Sequence, residues 1–214
     1  VSWVLVNAAN GSRTIINHKQ PTAPLQLDAA ELPRRLAAPP VLLFDGHELV
    51  AAEAALAAFP RAGSILDAGS VRPGTVALAG RVTHLAASMR FARQLTSIDP
   101  RQGLEAAERA LAHLRQRFPA PQTITITLAE QGALTDEAGG CRQHFAAPAV
   151  QVVETTGAGD IWHGALAYAL ARGATFGAAA SLATAAASDS VTRCGGRASM
   201  PARAPAPAAW QRSR

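Results

Sequence analysis

Between residues 41 and 128 the chain alternates short apolar runs with helix-forming segments. This alternation constrains its fold more than any other feature. The runs are VLLF (41–44), SILDA (64–68), VTHLAA (82–87) and TITITL (123–128). Each is four to six residues long, the usual length of a strand and too short for most helices. Between them lie residues 50–59, 74–79 behind Pro73, 89–95 and 103–118. The last of these carries an apolar face with arginines on the other side. Strands separated by helices predict a mostly parallel sheet covered on both faces.

The flanks complete one α/β domain. Two β-branched runs around Asn10-Gly11 predict an opening hairpin, because that dipeptide tolerates the positive φ of a tight turn. Residues 29–36 read as a short helix. Residues 133–135 and 142–145 read as a small antiparallel pair around Gly139-Gly140. Two alanine-rich helices follow, at 157–172 and 176–190. The Pro/Ala-rich tail after Pro201 is expected to order only by docking. The expected division is a hairpin element at 1–20 and an α/β core at 21–214.

Composition narrows the function classes. The chain is 49% apolar, enough for a core, and has no apolar run of membrane-spanning length. Its net charge of +5 comes from scattered arginines, with Lys19 the only lysine and Arg34-Arg35 the only adjacent basic pair. No aromatics interleave with them as a single-strand binding platform requires, so neither a nucleic-acid nor a membrane partner is expected. Cys141 and Cys194 form no Cys-x-x-Cys pair, and no secretory signal is visible; reduced thiols and a cytoplasmic location are expected. The histidines show no zinc-ligand spacing. A chain opening at Val1 directly in strand-like sequence is expected to be preceded by further residues.

The chemistry concentrates in VETTGAGDIWHGALAYALARG, residues 153–173. A helix N-terminus presents unpaired N–H groups and a partial positive charge, and glycines there let an anion approach the backbone. Asp160 beside such a cradle would repel a resting phosphate. It makes sense as a base for a hydroxyl about to attack phosphorus. On the turn alone, a capped helix and a phosphoryl-transfer site stand as equal readings. The spacing Gly157, Gly159, Gly164 is not a dinucleotide fingerprint, and no Gly-Lys-Ser/Thr follows for a P-loop.

ETTGAGDIWHGAL resembles the C-terminal signature of PfkB-type, ribokinase-like carbohydrate kinases. ATAAASDSVTRCGGRASMP (183–201) is similar to that family's next helix and loop, and TLAEQGA (127–133) to its nucleotide strand and turn. The DAGSVRPG run (67–74) and the GGRA run (195–198) lean toward the branch of sulfofructose kinase and ketohexokinase-like enzymes. The resemblance implies a three-layer α/β/α sandwich with a mostly parallel central sheet, and a hairpin that serves as a lid and as a dimer clasp. It implies transfer of the ATP γ-phosphoryl to a sugar hydroxyl with Mg²⁺. Asp160 matches the general base, and Gly157, Ala158 and Gly159 the anion hole. Thr127 and Gly132 match the nucleotide side, and Thr184 and Ala187 the adenine pocket. Glu154, Thr156, Arg193, Gly195 and Ser199 flank the loop that holds K⁺ in potassium-activated members.

The chain departs from the family pattern in places. Glu154 stands for the usual Asp, Ala129 for the usual Gly, and residues 87–90 lack the Asn-x-x-Glu motif. The resemblance covers the family's later two-thirds, so an unpaired sheet edge and a non-catalytic nucleotide-binding or interaction module form the alternative reading. His163, one turn beyond Asp160, reads as either an orienting or a packing residue. Asp67, at a strand's carboxyl end, reads as a site residue or a cap. Cys194 reads as a small filler.

Overall fold

A computed structural model of the chain describes residues 2–7, 13–18 and 22–202. Its elements in order are strands β1 (Ser2–Val6) and β2 (Arg13–Asn17), helix α1 (Leu32–Arg35), β3 (Val41–Phe44), α2 (Leu49–Ala58), β4 (Gly63–Ala68) and α3 (Pro73–Ala79). Then come β5 (His84–Ser88), α4 (Met89–Thr96), α5 (Leu104–Arg117), β6 (Thr123–Thr127), β7 (Ala133–Glu137), β8 (Arg142–Phe145), α6 (Ala158–Ala171) and α7 (Phe176–Ser190). The chain divides into two compact units, Pro24–Ala146 and the two flanking stretches Val1–Ala23 with Ala147–Arg214.

In the unit Pro24–Ala146 six strands form one sheet in the order β3-β4-β5-β6-β7-β8. The first four are parallel, and β7 and β8 add antiparallel. Among the described residues β3 pairs only with β4. Register places Leu66 beside Leu85, Leu85 beside Ile124, and Ile126 beside Leu134, so one face is a continuous apolar surface. Against it pack Leu78 of α3, Phe91 of α4, and Leu111 and Leu114 of α5, all fully buried. The other face is buried too, but it carries hydroxyls: Thr125 Oγ1 meets Thr135 Oγ1 at 2.8 Å, and His84 Nδ1 meets Thr123 Oγ1 at 2.9 Å. Burial lowers the pKa of His84 from its usual 6.5 to about 4, because a charged imidazole there would lose its hydration.

Local chemistry sets the boundaries. Ser88 Oγ accepts from the Phe91 N–H at 3.1 Å and starts α4; Thr175 Oγ1 accepts from Ala178 N–H and starts α7. Helix α1 is shorter than the sequence predicts, with Pro33 in its first turn and Pro39-Pro40 barring its extension. Arg115 ties α5 to β7. Its Nε and Nη2 donate to Asp136 Oδ2 and the Asp136 carbonyl at 3.0 and 2.7 Å, and Nη1 donates to the Pro121 carbonyl at 2.6 Å.

In the other unit, β1 and β2 form a two-stranded antiparallel sheet pairing Ser2 with Asn17 and Val6 with Arg13. The tight turn predicted at Asn10-Gly11 and the tail beyond residue 202 lie outside the described residues. Trp3, Leu5, Ile15 and Ile16 are exposed on this hairpin. Helices α6 and α7 pack on each other, and Leu166 and Ala169 of α6 and Ala179, Ala183 and Ala186 of α7 are buried. Small side chains allow that close approach.

Candidate active site

Helix α6 begins at Ala158, and its N-cap Gly157 is left-handed with φ +77°. An L side chain there would be strained, and its Cβ would lie 3.3 Å from the Gly196 Cα. Gly159, two residues on, is different. A Cβ built on it meets nothing within 4 Å, so protein packing does not require a glycine at that position. Its backbone faces open space. The Ala158 N–H is directed to the Thr155 carbonyl at 3.3 Å, whereas the first-turn N–H groups of Gly159 and Asp160 precede any carbonyl partner one turn earlier.

Asp160 is exposed on that first turn, and it does not cap the helix. Among the described residues no hydrogen bond or ion pair holds its carboxylate. The macrodipole favours a negative charge at this position. The turn therefore presents first-turn N–H groups and a carboxylate side by side. His163 is buried, donates from Nδ1 to the Gly159 carbonyl at 2.7 Å, and meets the Trp162 ring edge-on at 5.2 Å. It packs and pins the first turn.

The loop after α7 closes on the stretch before α6. The Gly195 N–H donates to Glu154 Oε2 at 2.8 Å, and the N–H groups of Val153 and Glu154 reach the Val191 carbonyl at 2.8 and 3.2 Å. Ser199 is buried, with its N–H on the Gly195 carbonyl at 2.7 Å. Arg193 Nη2 donates to Asp189 Oδ2 at 2.5 Å and to the Ser199 carbonyl at 3.2 Å. Thr156 Oγ1 is buried, with no hydrogen-bond partner among the described residues. Glu154, Thr156, Arg193, Gly195 and Ser199 thus lie on two stretches that these bonds join. Cys194 is exposed beside them. Thr184 and Ala187 lie on α7, where the Thr184 hydroxyl accepts the Trp162 Nε1–H at 3.2 Å, and Ala187 is half-buried. Sequence reading missed that bond, although a tryptophan in an alanine-rich helix signals the need for a polar partner.

In the unit Pro24–Ala146, the parallel strands end along one edge. Thr127 closes β6 with Oγ1 3.5 Å from the Ala87 carbonyl, and Gly132 ends the following turn at φ +90°. Ala129, which opens that turn, is left-handed at φ +53° despite its Cβ. Asp67 is half-buried on β4, facing the hydroxyl-bearing side of the sheet beside Ala86. Among the described residues there is no group of three or more His, Cys, Asp or Glu arranged to hold a metal ion. No described helix is long and apolar enough to cross a membrane.

The profile of the pfkB family carbohydrate kinases matches residues 1–203. The chain belongs to this family. Its fold is ribokinase-like, with a mostly parallel central sheet and flanking helices, and a separate small antiparallel hairpin. Similar solved structures include a ribokinase candidate from Agrobacterium tumefaciens (28% identity, TM-score 0.74) and the ribokinase of Thermotoga maritima (27%, 0.71). A third is the Arabidopsis thaliana ribokinase complexed with ribose and ATP (26%, 0.72). Each match covers 94% of this chain but only 64%, 66% and 65% of the respective structure. The chain therefore spans slightly less than two-thirds of the length of these relatives.

Proposed function

We propose that this family member transfers the γ-phosphoryl of ATP to a hydroxyl of a small sugar. The observation that carries the reading is the opening of α6: left-handed Gly157, Gly159 with open space over its backbone, and the exposed Asp160 carboxylate. Asp160 takes the proton of the attacking hydroxyl as general base. The Gly157–Gly159 turn, with the N–H groups of Gly159 and Asp160, stabilises charge on the phosphoryl oxygens as an anion hole. Thr127 and Gly132 serve the nucleotide phosphates and ribose, while Thr184 and Ala187 line the adenine side. The Thr184 hydroxyl oxygen accepts the Trp162 Nε1–H, which fixes the side chain and leaves its O–H to donate.

Mg²⁺ is proposed to come with the nucleotide. It keeps most of its waters and takes its ligands chiefly from phosphates, so a protein cage of carboxylates is not needed. The Glu154 loop fits a monovalent cation such as K⁺. Its donors are oxygens, Thr156 Oγ1 is buried with no hydrogen-bond partner among the described residues, and Asp189 neutralises Arg193 from outside. Glu154, Thr156 and Ser199 would hold the ion, and Gly195 and Arg193 would shape the loop. The ion would supply fixed positive charge beneath the turn. The hairpin element at 1–20, whose strands expose Trp3, Leu5, Ile15 and Ile16, is proposed as a lid over the sugar and as the contact of a homodimer, with a core at 21–214. A cytoplasmic location fits a sugar kinase with exposed free thiols.

The test is ADP release from ATP by the purified chain, measured against a panel of ketoses, aldoses and nucleosides. Release that rises with one acceptor above the nucleotide-only baseline is expected. Release independent of every acceptor contradicts the proposal.

A further inference from the structure

His163 is only 5% exposed, yet its imidazole does more than fill space. Nδ1 lies 2.7 Å from the carbonyl oxygen of Gly159, one turn earlier in α6. A carbonyl oxygen can only accept, so the hydrogen of that bond sits on Nδ1. The Gly159 carbonyl and the Asp160 N–H belong to one planar, resonance-coupled peptide unit. Whatever holds the carbonyl therefore also sets the direction of the N–H at the other end of that unit.

That peptide gets little support from packing. Gly159 has no side chain, a Cβ built on it would meet nothing within 4 Å, and Asp160 is exposed. The imidazole, in contrast, is itself held. The Trp162 ring meets it edge-on, with centroids 5.2 Å apart and planes at 80°, and Trp162 Nε1 donates to Thr184 Oγ1 of α7 at 3.2 Å. A fixed ring is a fixed donor. In a helix the Gly159 carbonyl also takes the backbone N–H one turn on. A second hydrogen bond on the same oxygen polarises the peptide further and makes its own N–H a better donor.

We infer that His163 is a positioning residue for the phosphoryl transfer. By donating from Nδ1 to the Gly159 carbonyl, it holds and polarises the peptide that carries the Asp160 N–H, one of the two donors of the proposed anion hole. Its effect on turnover rests on the kinase reading; its hold on the Asp160 N–H stands without that reading. Removing a whole anion-hole donor costs about 10²–10³ in kcat. His163 supports such a donor rather than being one, so its loss is expected to cost about 10-fold.

The test compares three variants of the full chain. His163→Asn places an amide nitrogen as many bonds from the backbone as Nδ1, His163→Gln places it one bond farther out, and His163→Leu fills the space without a donor. Acceptor-dependent ADP release, the affinity for a non-hydrolysable ATP analogue and the Asp160 amide resonance of the ¹⁵N-labelled chain are measured on each. The Leu and Gln variants are expected to lower kcat about 10-fold, leave KM and analogue affinity within about 3-fold, and move the Asp160 amide proton upfield. The Asn variant is expected to restore both kcat and the amide shift. Long-range ¹H–¹⁵N spectra of the wild type are expected to show the proton on Nδ1. A bare Nδ1, or an Asp160 amide that does not move in His163→Leu, overturns the inference. So does an equal loss in the Asn and Leu variants, which would mean packing alone, or a change confined to KM. A wild type without acceptor-dependent ADP release refutes the kinase reading, while the Nδ1 proton and the Asp160 amide still decide the hold on the peptide.

Discussion

Ala129 offers a stability test that depends only on backbone conformation. It is exposed, opens the turn after β6, and sits at φ +53°, where a Cβ crowds the following carbonyl. A left-handed residue with a Cβ costs about 1–2 kcal/mol relative to glycine. Replacing alanine by glycine also frees the unfolded chain, which costs about 0.4–1 kcal/mol of stability. The Ala129 methyl is in solvent, so no packing is lost. Ala129→Gly should therefore stabilise the protein by about 0.5–1 kcal/mol, raising Tm by about 1–4 °C for a chain of this size. Urea unfolding followed by circular dichroism would report it as a higher midpoint at unchanged slope. Gly132→Ala, at φ +90° and ψ −122°, should do the opposite and cost about 1–3 kcal/mol. A lower midpoint for Ala129→Gly would refute the claim that this turn holds a strained alanine.

Three further outcomes are expected. The folded pKa of His84 lies below its unfolded value, so the unfolded chain takes up the proton first as pH falls. Stability should drop between about pH 6.5 and pH 4, by up to ~1.4 kcal/mol per unit, and His84→Asn should flatten the urea midpoint between pH 7.5 and 5.5. Arg115→Ala leaves the buried Asp136 carboxylate without its main partner, and chemical denaturation should show a loss of about 3–5 kcal/mol. Gly74→Ala drives a Cβ into the Gly46 carbonyl, and thermal melting should show a loss above about 2 kcal/mol; an unchanged Tm would mean that the β3–α2 and β4–α3 loops do not cross so closely.

Much of the architecture was legible because strand and helix periods differ and every connection is punctuated by Gly, Pro or a cap. The runs at 41–44, 64–68 and 123–128 became β3, β4 and β6 with shifts of one residue at most, and both terminal helices fall where alanine and leucine continue without a breaker. The sheet's asymmetry was encoded less plainly. TITITL alternates, so isoleucines face the apolar core and threonines face the other side, yet both faces are buried. The turn at Gly157–Asp160 and its closure by Glu154 and Gly195 follow from a local motif plus one loop. The crossing of Gly46 and Gly74, the bond from Trp162 to Thr184 and the tie from Arg115 to Asp136 join residues more than twenty positions apart. No local pattern announces such partners. They are set by register and helix packing, which appear only when the chain is folded.

The central claim is that Asp160 is the base of a phosphoryl transfer. Asp160→Asn preserves size and polarity while removing the proton acceptor, and the exposed side chain supports no packing. Acceptor-dependent ADP release and ATP-analogue affinity should be measured together on wild type and variant. The account predicts a fall in kcat of about 10²–10⁴ with nucleotide affinity unchanged. Wild-type turnover in Asp160→Asn would contradict it.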